Sequence, residues 1–313
     1  MVPSDGMKPW AFPVFARGAV HAAGTPLVPA EDLGFQLGLA LFETLLVERG
    51  HVFFEAAHRA RLEAAARALG IPWVGAAVLQ KAQRSLRQAI ASLPGAPERY
   101  ALRVTLTAGV PGAGPELILQ ARTPEPFPAE GVAVWISEQR LLADACSALK
   151  STSRLRYSLA KREAQAQGAY EALLFNTDGE LAEGSFSNVF LVADGKLRTP
   201  PLTSGCLGGI LRHTLLNDLE RQPLVLEGGR HVEVCLEPLL PSDLVAAEEL
   251  FLTNSIGRLI PVRRILERGQ PARELPAAPG PILLALAQRL SVLEELDRQA
   301  SLEGYTDGPA FPS

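Results

Sequence analysis

Three prolines fall within five residues in Arg122-Thr123-Pro124-Glu125-Pro126-Phe127-Pro128. Proline has no amide hydrogen to give a sheet, and its fixed φ does not suit a helix interior, so neither element runs through this stretch. At 313 residues the chain is long enough for two cores. The proline run is therefore the expected division: a smaller N-terminal α/β domain over 1–121, a link over 122–129, and a larger C-terminal domain over 130–313.

On the N-terminal side the pattern predicts strands at 39–47 and 52–54 around a turn at Gly50, then a helix over 56–69. Leu62, Ala65, Ala66 and Leu69 recur at helical spacing on one face, and Gly70 and Pro72 end the run. A second helix is expected at 77–92, with strands at 100–106 and 116–120. Beyond the link come a strand at 132–137, a helix over 155–167 stopped by Gly168, and strands at 171–175, 188–192 and 196–198. Asp178-Gly179 and Asp194-Gly195 mark turns between them. A helix from Gly209, a strand at 249–252 and an apolar helix at 281–296 follow, and the tail from Ser301 is expected to be loose. Mixed strands and helices on both sides of the link make the class α/β (α+β).

Hydrophobic residues make up 47% of the chain and the formal charge is −4, without the basic excess of a nucleic-acid binder. No apolar run approaches the roughly 18 residues of a membrane helix. The start, Met1-Val2-Pro3-Ser4-Asp5-Gly6-Met7, has neither the basic nor the apolar part of a secretory signal, so a cytoplasmic location is expected. Cys146, Cys206 and Cys235 lie too far apart for a zinc motif or a disulfide framework, and no metal is expected.

Among 30 basic residues only five are lysines: Lys8, Lys81, Lys150, Lys161 and Lys196. Where arginine serves for most positive charge, a retained lysine points to chemistry that needs an amine able to lose its proton. Lys150 lies just ahead of the helix expected at 155, and some thirty residues later comes Glu183-Gly184-Ser185-Phe186-Ser187-Asn188. An amine and a carboxylate held on a nearby strand are what a pyridoxal phosphate site requires. From spacing alone, an exposed amine and a solvated turn carboxylate remain open. Three further segments suit an anion: Gly208-Gly209-Ile210 at a helix start, the hydroxyl-rich Thr253-Asn254-Ser255-Ile256-Gly257, and the forked guanidinium of Arg61. Each has a plain alternative, namely a tight turn, a turn cap and a solvated helix charge.

Taken in order, these segments resemble the class IV aminotransferases, the fold-type IV pyridoxal phosphate enzymes. The N-terminal half contributes Asp32-Leu33-Gly34-Phe35-Gln36-Leu37-Gly38, Leu41-Phe42-Glu43-Thr44 and His58-Arg59-Ala60-Arg61-Leu62. The C-terminal half contributes Lys150 with Arg154-Leu155, Leu159-Ala160-Lys161-Arg162-Glu163-Ala164, Glu171-Ala172-Leu173-Leu174 and Glu183-Gly184-Ser185-Phe186-Ser187-Asn188. Gly205-Cys206-Leu207-Gly208-Gly209-Ile210 and Phe251-Leu252-Thr253-Asn254-Ser255 keep the same order and spacing. The resemblance covers about residues 30–265. It implies a two-domain fold like that of the D-amino-acid and branched-chain aminotransferases, closing over pyridoxal 5'-phosphate, and a homodimer.

By that resemblance Lys150 would bond covalently to the cofactor and later move protons, and Glu183 would face the pyridine nitrogen. Arg61, the amides at Gly209 and Ile210, and Ser255 with Ile256 would hold the phosphate. Phe42 would wall the ring, Arg103 would replace the missing arginine that binds the substrate carboxylate, and Asn188 would order the turn behind Glu183. The family's arginine-glycine pair is Ala108-Gly109 here, which disfavours a D-amino-acid enzyme. Leu211 stands where a phosphate-reaching threonine is common, Leu33 in place of an arginine, and Leu39-Ala40 in place of aspartate-glycine. Arg154-Leu155 after Lys150 is similar to the asparagine-arginine-leucine run of aminodeoxychorismate lyases; branched-chain enzymes commonly have glycine, asparagine and tyrosine there. The resemblance thus implies a small-molecule amino substrate and a lyase first, a branched-chain or other aminotransferase second, and a non-catalytic relative last.

Overall fold

The computed structural model describes residues 12–303. The chain forms two compact units. Unit 1 comprises Met1–Pro124, Lys150–Ser153 and Asp297–Ser313, and unit 2 comprises Glu125–Leu149 and Arg154–Leu296. The units differ from the expected division at two points: the Lys150–Ser153 segment and the chain from Asp297 were expected in the C-terminal domain and group with unit 1. For Lys150 the cause is backbone pairing, described below.

Unit 1 is built on a six-stranded sheet of β1 (Val14–Ala16), β2 (Ala19–His21), β3 (Ala40–Glu48), β4 (His51–Val52), β5 (Arg99–Val110) and β6 (Gly114–Arg122). The order is β2-β1-β6-β5-β3-β4, antiparallel throughout. Helices α1 (Leu33–Leu37), α2 (Glu55–Ala68) and α3 (Ala76–Ala91) complete it, with α2 packed on β3 and α3 on β1, β2 and β6. The face of α2 that carries Leu62, Ala65 and Ala66 is buried, as its spacing predicts. Asp32 caps α1: its Oδ1 accepts from Gly34 N–H (2.7 Å) and Phe35 N–H (3.1 Å), and its Oδ2 from the Thr107 hydroxyl (2.7 Å). A Cβ on Gly34 would crowd Asp32, Ala40 and Thr107 within 2.9 Å, so only glycine fits there.

Unit 2 holds a nine-stranded mixed sheet. Its strands are β7 (Val132–Leu141), β8 (Glu171–Asn176), β9 (Leu181–Gly184), β10 (Asn188–Ala193), β11 (Lys196–Thr199), β14 (Val234–Leu236), β15 (Glu249–Asn254), β16 (Arg258–Leu266) and β17 (Arg273–Glu274); β12 (Val225–Leu226) and β13 (Arg230–His231) form a separate hairpin. The order is β14-β11-β10-β15-β16-β7-β8-β9, with β17 beside β16. Every residue of β10 is buried, as its unbroken apolar run after Asn188 requires of a strand covered on both faces. Phe190 and Phe251 lie opposite each other across β10 and β15 and stack at 5.3 Å. The Asp194-Gly195 turn takes positive φ at both residues (52° and 71°), the conformation that a two-residue hairpin loop needs.

Helix α4 (Leu155–Ala166) packs on β7 and β8, α5 (Ile210–Arg221) on β15, and α6 (Pro241–Ala246) on β10. The helix α7 (Pro281–Leu302) runs further than the expected 281–296, so Ser301 belongs to it. The rest of the expected loose tail, from Gly304, lies outside the described residues. No helix among the described residues is long and apolar enough to cross a membrane.

Candidate active site

In unit 1, the N-terminal part of β3 has an open edge, because β4 pairs only with Val47 and Glu48. The Lys150 segment takes that edge: Phe42 N–H donates to the Lys150 carbonyl (2.9 Å) and Thr152 N–H to the Ala40 carbonyl (2.8 Å). Those bonds fix the lysine backbone against the sheet. Its Nζ lies 4.7 Å from the centre of the Phe42 ring, and the Arg103 guanidinium lies over the same ring at 3.7 Å. Lys150, Phe42 and Arg103 are thus brought together.

Phe42 and Glu43 are neighbours on a strand, so their side chains leave it on opposite faces. Glu43, only 2% exposed, meets α2, where its carboxylate accepts from Arg61 Nε (2.7 Å), Arg61 Nη2 (2.6 Å) and His58 Nδ1 (2.7 Å). A carboxylate in this pair only accepts, so His58 carries its proton on Nδ1. Burial pushes the Glu43 carboxyl up, but Arg61 foremost and then His58 outweigh it and hold the group well below the usual carboxylate range. Burial lowers the His58 pKa against the pull of Glu43, with Arg61 and Lys150 helping to keep the ring neutral. These contacts hold Arg61 in place against Glu43. The motif residues Glu43 and His58 were visible in the sequence, but their grip on Arg61 was not.

In unit 2, Glu183 lies on β9, a strand that the sequence pattern read only as part of a turn. Its carboxylate is buried and fully engaged: Tyr157 Oη donates to Oε1 (2.9 Å), while Leu207 N–H (3.0 Å) and Asn188 Nδ2 (3.4 Å) donate to Oε2. Asn188 Nδ2 also donates to the Leu207 carbonyl (2.8 Å), so one amide ties the carboxylate to the segment leading into α5. Beneath the turn, fully buried Glu171 accepts from the amides of Ala172 (2.8 Å), Ser185 (3.0 Å) and Phe186 (3.2 Å) and from the hydroxyls of Ser185 and Ser187. Burial raises the Glu171 carboxyl, even against the Ser185 hydroxyl and the Lys161 ammonium. The hold of Glu171 on the turn, like the contact of Tyr157 with Glu183, left no periodic signal in the sequence.

Gly209 is the N-cap of α5 and supplies no side-chain cap, leaving the first-turn amides of a twelve-residue helix to other acceptors. A Cβ there would overlap Asn188 Oδ1. Beyond β15, Asn254 Oδ1 accepts from the amides of Ile256 (2.9 Å) and Gly257 (2.7 Å), shaping the turn that presents Ser255. Thr253, paired with Asn188 across the sheet, keeps a buried hydroxyl with no hydrogen-bond partner among the described residues. A buried donor left over beside an uncapped helix start suits a phosphate. A buried carboxylate that accepts from the Tyr157 hydroxyl, the Leu207 amide and the Asn188 side chain suits a pyridinium, and the residues present fit pyridoxal phosphate.

A branched-chain-amino-acid aminotransferase described as probable, from Thermotoga maritima, is 37% identical over 162 residues; the match spans 50% of this chain and 54% of that protein. A D-alanine aminotransferase from Bacillus licheniformis is 30% identical over 298 residues, covering 90% of this chain and 98% of its own. A solved structure of 4-amino-4-deoxychorismate lyase from Pseudomonas aeruginosa superposes with a TM-score of 0.71 at 27% identity, over 88% of this chain and 97% of that one. The family model for amino-transferase class IV matches residues 40–265, so the chain belongs to that family of enzymes, whose cofactor is pyridoxal phosphate.

Proposed function

We propose that this enzyme is a 4-amino-4-deoxychorismate lyase, releasing pyruvate and 4-aminobenzoate, a folate precursor. The run from Lys150 to Leu155 carries the reading. Arg154 donates to the Ser185 carbonyl (2.8 Å) and packs on Tyr157, and Leu155 follows with its side chain exposed. An arginine and a leucine here are similar to the lyase run and unlike the tyrosine-containing run of branched-chain enzymes.

Pyridoxal phosphate, when bound, supplies an electron sink conjugated to the carbon that loses a proton. The remaining work belongs to the protein. Lys150 would hold the cofactor, and once a substrate amine takes its place its free amine would accept the proton from the substrate ring carbon that bears nitrogen. The electron pair left behind expels the enolpyruvyl oxygen, the ring becomes aromatic, and the departing enol takes up a proton to give pyruvate. Glu183 would keep a proton on the pyridine nitrogen. Arg61, the amides at Gly209 and Ile210, and Ser255 with Ile256 would hold the phosphate. Phe42 would wall the ring and Arg103 would meet a substrate carboxylate. The same reading places the enzyme in the cytoplasm as a homodimer.

A second reading, a branched-chain or other aminotransferase, is favoured by the likeness to the Thermotoga maritima protein. There Lys150 would return its proton to a cofactor carbon instead. A D-amino-acid substrate fits less well, since Ala108-Gly109 offers no guanidinium for its carboxylate. Purified enzyme is incubated with aminodeoxychorismate and, separately, with leucine plus 2-oxoglutarate. The lyase reading expects 4-aminobenzoate and pyruvate in equal amounts from the first and no glutamate from the second. Glutamate without 4-aminobenzoate would replace it with the aminotransferase reading.

A further inference from the structure

Tyr157 stands in the first turn of α4, seven residues beyond Lys150, and its phenol donates to Glu183 Oε1 at 2.9 Å. The ring is fixed from two directions. The Arg154 guanidinium lies over it at 3.6 Å and is itself tied to the Ser185 carbonyl (2.8 Å), two residues beyond Glu183. Burial first, and then the neighbouring Glu183 charge, push the phenol well above its ordinary range, so it stays protonated and can only donate to the carboxylate. Other groups near Glu183 have contacts of their own. Burial foremost pushes the Cys206 thiol up to about 12, which keeps it neutral. Arg212, from α5, feels the Glu183 charge, but its Nη2 donates to the Pro200 carbonyl (2.7 Å). Leu207 N–H and Asn188 serve the other carboxylate oxygen.

We propose that Tyr157 is a positioning residue that sets the proton affinity of Glu183 and thereby keeps the cofactor's ring nitrogen charged. This rests on the reading that Glu183 faces that nitrogen. A donor on one carboxylate oxygen stabilises the anion and weakens its claim on any proton it shares. With the phenol in place, the shared proton stays on the ring nitrogen. Without it, the carboxylate becomes the better base and the ring loses positive charge. A less cationic ring makes the nitrogen linking Lys150 to the cofactor harder to deprotonate, because a like charge nearby has been reduced.

The test uses the loaded full-length enzyme and its Tyr157→Phe, Tyr157→Leu and Glu183→Gln variants. Three quantities are read: the pH midpoint of the bound cofactor's near-visible absorption band, the affinity for pyridoxal phosphate, and the melting temperature before loading. Tyr157→Phe keeps the ring and its packing against Arg154. It should raise the midpoint by about one pH unit and weaken cofactor binding about tenfold, the size expected for one hydrogen bond to a charged group. Glu183→Gln should raise the midpoint further. The melting temperature of Tyr157→Phe should stay near that of the parent. A midpoint that moves in Glu183→Gln and Tyr157→Leu but not in Tyr157→Phe would reduce Tyr157 to packing and overturn the proposal. A midpoint unmoved in Glu183→Gln would instead overturn the reading of Glu183 beneath it.

Discussion

Replacing Glu43 by glutamine keeps the shape of the side chain and removes its charge. Three donors converge on that carboxylate, at 2.6–2.7 Å from Arg61 and 2.7 Å from His58, and the group is 2% exposed. Glutamine offers one acceptor where two oxygens served, and its own N–H groups would point at those of Arg61 or His58. Arg61 would stay buried and charged while losing the carboxylate that it now pairs with. Breaking a buried pair in this way costs about 3–5 kcal/mol. At roughly 2–4 °C per kcal/mol, the transition of unit 1 should fall by on the order of 10 °C in calorimetry. The pH dependence adds a second check. The Glu43 pKa lies below its ordinary 4.5 in the folded state, so its contribution is fully present above pH 4.5 and is lost as the pH falls toward the folded value. Chemical denaturation should therefore show a gap between parent and variant that is constant near neutrality and narrows in acid. A gap under about 1 kcal/mol at pH 7, or one that widens in acid, would refute the reasoning.

Three other outcomes follow from the geometry. Glu171→Gln should cost about 1–3 kcal/mol, because an amide hydrogen would face the donors now converging on Oε2 from Phe186 and Ser187; equal urea midpoints would count against the clamp. Thr253→Val removes a buried hydroxyl without a partner among the described residues, so the unloaded protein should gain up to about 1 kcal/mol while affinity for pyridoxal phosphate falls; unchanged affinity would show that the hydroxyl does not serve the phosphate. Gly209→Ala drives a methyl into Asn188 Oδ1, which should displace the Leu207 and Glu183 contacts and weaken cofactor binding at least tenfold by equilibrium titration.

Much of the fold was legible because its signals are local. The stripe of Leu62, Ala65 and Ala66 marked α2, the apolar run after Asn188 marked a central strand, and Asp194-Gly195 marked a hairpin. The strand β9 escaped because Leu181-Ala182-Glu183-Gly184 is too short to show a period and carries a charge that only its tertiary contacts justify. The membership of Lys150 in unit 1 escaped for a related reason. It depends on two backbone hydrogen bonds to β3, more than a hundred residues away, and backbone pairing leaves little trace in side-chain pattern. Within the candidate site, the residues named from motifs were those presumed to touch the cofactor. Those that hold them in place, Glu43 for Arg61 and Tyr157 and Glu171 for Glu183 and its turn, became visible only through distances.

The central claim is that Lys150 is the amine that bonds to pyridoxal phosphate. Loading the enzyme with the cofactor, reducing it with borohydride, and mapping the modified peptide by mass spectrometry tests this directly. The account predicts one phosphopyridoxyl group per chain on Lys150, and none in Lys150→Ala, which should remain folded. A label on Lys161 or any other lysine of the parent enzyme, or no label at all, would contradict it.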